Sequence, residues 1–153
     1  MPKDILQIAA HLKKLYLSIF NVDEEENDLS ELKLHKLLYF AQKRHYQNFG
    51  EWLFNDDFEG WVHGPVNRRV RDFHMFLREP NTELTEEEEY TLREIIHEYG
   101  IYTPWALREL SHQEKCYQIS REGLQEKDKG NRVIKKEDMI LDMSIPNDGY
   151  VEV

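Results

Sequence analysis

A chain of 153 residues, 40% of them apolar or aromatic, is long enough to bury one core, and its eight tyrosines, seven phenylalanines and three tryptophans argue against disorder. Thirty acidic residues against twenty basic ones give a net charge of -10, which makes nucleic acid an unfavoured partner, although residues 31–78 carry eight basic and six acidic groups. The single cysteine, Cys116, excludes an intrachain disulfide and a multi-cysteine metal cluster, and it fits a reducing cytoplasm. In chain order, the N-terminal MPKDILQIAAHLKKLY is interrupted by charges and reads neither as a signal-peptide core nor as a membrane span. Its apolar residues Ile5, Ile8, Ala9, Leu12, Leu15, Tyr16, Ile19 and Phe20 fall on one face of a helix. The acidic run after it reads as a solvated loop.

A second helix is expected from about Asp28 or Ser30, since Asp28 and Glu31 have capping-box spacing. Leu34, Leu37, Leu38, Ala41 and His45 make one stripe, and Tyr39, Phe40, Tyr46 and Phe49 widen it, as in a helix packed on several sides. Gly50 supplies the left-handed cap. The period then changes. Trp52, Leu53 and Phe54, a turn at Asn55-Asp56-Asp57, and Phe58 to Val62 suggest a small hairpin or ribbon. Gly64-Pro65 reads as its stop, with Pro65 in the first turn of a third helix running to about Arg78. Val70, Phe73, Met75, Phe76 and Leu77 are that helix's core candidates.

Thr85 and Glu88 form another capping-box pattern, opening a helix that Gly100 ends. Thr103-Pro104 starts a short helix, and Ser111 with Glu114 reads as the cap of the next. Residues 121–132 look like a polar surface loop. A last helix covers Lys136–Met143, and SIPNDGYVEV follows as an extended arm or frayed end. The fold class is mainly α: a multi-helix single domain over residues 1–145 with a small two-stranded β element, then a tail over 146–153.

No catalytic pattern emerges. The seven histidines include no pair at metal-ligand spacing on a helix, and there is no nucleophile elbow and no phosphate-binding glycine loop. Cys116 reads as a small buried residue. No cofactor, no metal and no enzymatic activity are expected. Two constellations suit partner binding instead. Arg68, Arg69 and Arg71 form either a solvated face paired with the chain's own acids or a patch for an acidic partner surface. Among Trp52, Phe54, Phe58 and Trp61, some are core and one or two are candidate anchors. His63 and His112 are polar residues that serve either as structural hydrogen-bonding groups or as partner contacts.

LKLHKLLYFAQKRHY, the EWLFNDDFEGWVHGPV ribbon and LRELSHQE together resemble the Panacea domain family, which includes SocA-like antitoxins and GepA-like phage-associated proteins. The resemblance spans roughly residues 3–145. Leu34, Lys36 to Ala41, Phe54, Phe58, Glu59, Trp61, Gly64, Pro65, Val66 and the Leu107–Glu114 segment carry it, with Ser111 where the family usually has threonine. Cys116-Tyr117 departs from the family's usual Pro-Trp. The resemblance implies an antitoxin that neutralises a cognate toxin by direct binding in a bacterial or phage system. The alternative is a phage or prophage accessory protein that binds a host factor, as an adaptor or anti-defence protein. On charge alone, the acidic body suits a basic toxin surface. Candidate partner-binding residues are Trp52, Trp61, His63, Arg68, Arg69, Arg71 and His112; the oligomeric state is open.

Overall fold

The computed structural model describes residues 2–25 and 27–144. Helix α1 (Ile5–Ile19) is capped by Asp4, whose carboxylate accepts the Leu6 amide at 2.8 Å. The expected apolar face is buried at Ile5, Ile8, Ala9, Leu12 and Tyr16.

Helix α2 (Glu31–Phe49) is the centre of the molecule. Lys33 through Gln42 are all buried, on every side of the helix, because three later helices and a strand pack around it. Its cap is Ser30, whose hydroxyl accepts the Lys33 amide at 3.2 Å. Asp28 is not the capping residue. Its carboxylate accepts from the Tyr16 hydroxyl and, at 2.9 Å, from the Lys33 ammonium. Lys33 is wholly buried and donates as well to Tyr16 Oη at 2.8 Å and to the Gly100 carbonyl at 2.7 Å. A buried ammonium needs such a set of acceptors, and supplying it is a stronger demand than capping a helix that Ser30 already caps. Gly50 ends α2 in the left-handed region, with φ 71°.

The apolar run Trp52–Phe54 is not a strand of the hairpin. The Gln42 side chain grips it from α2, accepting the amides of Leu53 and Phe54 and donating to the Phe54 carbonyl at 2.8 Å. The hairpin lies one step further on. Strand β1 (Phe58–Trp61) pairs antiparallel with β2 (Gly64–Val66), in the register Glu59 to Val66 and Trp61 to Gly64. A third strand, β3 (Val133–Ile134), pairs with the other edge of β1 and gives the order β2-β1-β3. Its two residues are too short a run to stand out in sequence.

Gly64-Pro65 therefore lies within a strand and does not start a helix. Proline is tolerated there because β2 is an edge strand. Asn67 caps α3 (Arg68–Phe73), accepting the Val70 amide at 2.9 Å. The helix is short and tightens to a 3-10 turn over His74–Phe76. Only Val70 is buried against α1, and Phe73, Met75 and Phe76, expected in the core, are 49%, 78% and 68% exposed. Leu77 packs at the margin of the core.

Helix α4 (Glu86–Tyr99) has the full Thr85–Glu88 capping box. Helix α5 (Pro104–His112) starts at the Thr103 cap with proline in its first turn. Ser111 lies inside α5 and its hydroxyl donates to the Arg108 carbonyl, so it does not cap α6 (Lys115–Ser120), which has no side-chain cap. Helix α7 (Lys136–Ser144) places Met139 in the core. The fold is thus mainly α, with seven α-helices and a small antiparallel sheet among the described residues. No helix among them is long and apolar enough to cross a membrane. The tail over 146–153 lies outside the described residues.

Candidate functional site

The motif residues meet in space. Lys36 on α2 is wholly buried and donates to the Pro65 carbonyl of β2 at 3.1 Å. Gly64, at φ 112°, is so close that a Cβ there would lie 2.5 Å from Lys36 Cε and 2.7 Å from Ser111 Oγ. Burial, and secondarily the nearby Arg108, depress the Lys36 ammonium from 10.5 to about 7. One turn along α2, the Tyr39 hydroxyl donates to Glu114 Oε1 at 2.8 Å, and Lys43 completes that carboxylate's shell at 2.7 Å.

Cys116 lies 2.9 Å from the Tyr39 hydroxyl, and its amide donates to Asp142 at 2.8 Å. Glu114, Cys116 and Asp142 bring one donor atom each within 4.8 Å of one another. Burial pushes the thiol up to about 12, so it stays protonated, and Lys43 already neutralises Glu114. This chemistry suits a structural network better than a cation site.

The two histidines beside the motifs are also engaged. His63 Nδ1 accepts from Arg108 Nε at 3.0 Å, and the Arg108 guanidinium lies 4.4 Å from the centre of the Trp105 ring. His112 stacks on Tyr117 with ring centres 4.7 Å apart, and burial lowers its pKa to about 4. Tyr117 in turn donates to the Trp61 carbonyl of β1.

Above this network lies an open groove of about 860 Å³ between the start of α2, the hairpin, α3 and the loop before β3. Leu32, Trp61, Val62 and Val66 give it apolar lining, and Arg68, Arg71, Lys127 and Lys129 give it positive charge. The Trp61 indole donates to Glu59 at 2.9 Å and carries the Arg68 guanidinium 5.4 Å from its ring centre. Arg68 pairs with Glu59 at 3.0 Å and Arg71 with Glu31 at 3.3 Å.

Four of the residues expected to bind a partner thus line one groove: Trp61, His63, Arg68 and Arg71. The other three do not line it. Arg69 pairs with Asp4 at 2.9 Å and with Asp56, tying α3 to the start of α1. Trp52 stacks on Tyr46 and lines a smaller cavity of about 360 Å³ with His45 and Glu88. His112 sits in the Tyr117 stack. Lys127 and Lys129 were not legible as site residues, because a polar loop has no period that assigns its side chains to a face.

The chain matches the family model for the SocA-like antitoxin Panacea domain over residues 34–118, which is more than half its length. It belongs to the SocA-like Panacea domain family. Neither the curated proteins nor the solved structures include a match to it. Within this Panacea domain the matched segment holds Lys36, Tyr39, the Gly64–Val66 strand, Ser111 and Glu114, whose side chains or backbone meet in the buried network. The same segment contributes Trp61, His63, Arg68 and Arg71 to the groove, whereas Lys127 and Lys129 lie beyond it.

Proposed function

We propose that this Panacea domain is the antitoxin of a bacterial or phage toxin–antitoxin pair and acts in the cytoplasm by binding its toxin, without catalysis. The observation that carries this reading is the antitoxin-family match over residues 34–118. The site chemistry supports it. Three titratable groups in or beside the motifs are engaged inward: Lys36 with a strand carbonyl, Glu114 with Lys43 and Tyr39, and Cys116 as a protonated thiol. These three groups belong to the interior and do not present an activated nucleophile to solvent. What faces solvent is a groove with tryptophan and arginine, the residue types that dominate protein-interface energetics.

The test is co-expression. The product of the adjacent open reading frame is induced alone and with this chain, from separate promoters. The reading expects growth arrest with the neighbour alone and restored growth with both. Arrest that persists at equal expression of the two proteins contradicts it.

A further inference from the structure

We propose that the groove above the hairpin receives an acidic segment of the partner protein, seating an apolar side chain against Trp61, Val62 and Val66 and placing its carboxylates on Arg71, Lys127 and Lys129. The proposal rests on the reading of the chain as a protein-binding domain, and it specifies the partner's chemistry. Charge is the first reason. The chain as a whole carries -10, yet this groove is lined by four cationic side chains and one carboxylate, Glu31, with a second, Glu59, paired to Arg68 beside it. Positive potential gathered in a groove of an acidic molecule selects for complementary negative charge. This inverts what the overall charge suggests: the acidic body presents a basic receptor.

The second reason is availability. Lys127 and Lys129 are exposed, and neither has an ion-pair partner among the described residues, although acids outnumber bases by thirty to twenty in the chain. A carboxylate arriving from outside breaks no internal pair at these positions. At Arg71 it competes with Glu31, whose 3.3 Å contact is long for an arginine pair.

The third reason is preorganisation. The loop that carries the two lysines is pinned by buried Arg121. Its guanidinium donates to the Gly60 carbonyl of β1 at 3.0 Å and to the Gln125 and Asp128 carbonyls of the loop at 3.0 and 2.6 Å. Gly130 lies so close that a Cβ there would approach Arg121 Nη1 to 2.9 Å. A wall held in this way loses little conformational freedom on binding. A polynucleotide fits less well, since phosphates repeated at every nucleotide extend past the basic side chains onto the acidic body, whereas a peptide can carry carboxylates only where those side chains lie.

The test uses the full chain and three fluorescein-labelled probes: a peptide of about twelve residues alternating Asp or Glu with Leu and Phe, its Lys-substituted counterpart, and an oligothymidylate of similar length. Fluorescence anisotropy is expected to show saturable binding of the acidic peptide alone. The K127E/K129E double variant, altered at exposed positions only, is expected to weaken it about tenfold or more, and higher salt to weaken it as well. Unchanged binding by the double variant, equal binding of the Lys peptide, preference for the oligonucleotide, or no saturable binding overturns the proposal. The same variant is then run in the growth assay. Full rescue by K127E/K129E overturns the groove as the toxin site and leaves the antitoxin reading standing. Peptide binding by a wild-type chain that fails to rescue supports the groove and removes the antitoxin role.

Discussion

Gly64→Ala is expected to destabilise the fold by about 2–6 kcal/mol, the sum of left-handed strain and overpacking. At φ 112° an alanine is strained whatever the space available, and here there is none. The added methyl meets Lys36 Cε and Ser111 Oγ at 2.5 and 2.7 Å, two side chains that are themselves fully buried on α2 and α5. Relief requires moving β2 away from α2, which also stretches the Lys36 bond to Pro65. Chemical denaturation checks this: the midpoint falls with an unchanged slope. A Gly64→Ala variant as stable as the wild type contradicts the close packing of strand on helix.

Lys36→Met is expected to do the opposite and stabilise the protein below about pH 7, by about 2 kcal/mol, because a buried charge with one acceptor costs more than a thioether of similar shape. The sign follows from proton binding. The folded state releases the Lys36 proton near 7, whereas the unfolded chain holds it to about 10.5. Between those values the unfolded state carries the extra proton, so wild-type stability rises with pH across that window. The full penalty is present below it. Methionine removes the titration, so the variant's advantage is largest in mild acid and fades as pH rises toward 10. Denaturation at a series of pH values reads this directly. A variant less stable than wild type at pH 6 contradicts the claim that the ammonium is a burden on the fold. Growth rescue by the variant in the co-expression assay is expected to match that by the wild type, because Lys36 is buried and does not reach solvent.

Local patterns in the sequence were reliable where one physical rule dominated. The stripe of Leu34, Leu37, Leu38 and Ala41 located the central helix, and the Thr85 capping box, the Thr103-Pro104 start and the Gly50 cap each appear as read. Misreadings arose where tertiary contacts competed with a local signal. Asp28 has capping spacing, but the buried Lys33 ammonium recruits it. Ser111 has it too, but α5 runs past it. Gly64-Pro65 looks like a break, yet an edge strand accepts proline and the tight approach to Lys36 demands glycine. Phe73, Met75 and Phe76 suit a buried face, but α3 ends before a second turn reaches the core.

The candidate site was half legible for a related reason. Trp61, His63, Arg68 and Arg71 adjoin the hairpin in sequence and remain together in space, whereas Lys127 and Lys129 reach the groove only because Arg121 folds their loop onto β1. Long-range closure of that kind leaves no trace in spacing. The family resemblance located the scaffold well, since most of its residues are buried there.

Neutralisation by stoichiometric binding is tested by titrating a fixed amount of purified toxin with this chain while toxin activity is followed. Inhibition is expected to rise linearly and stop at a fixed molar ratio, with the toxin recovered unmodified from an isolated complex. Complete and lasting inactivation by a small fraction of that ratio contradicts it, because only turnover lets one molecule silence many.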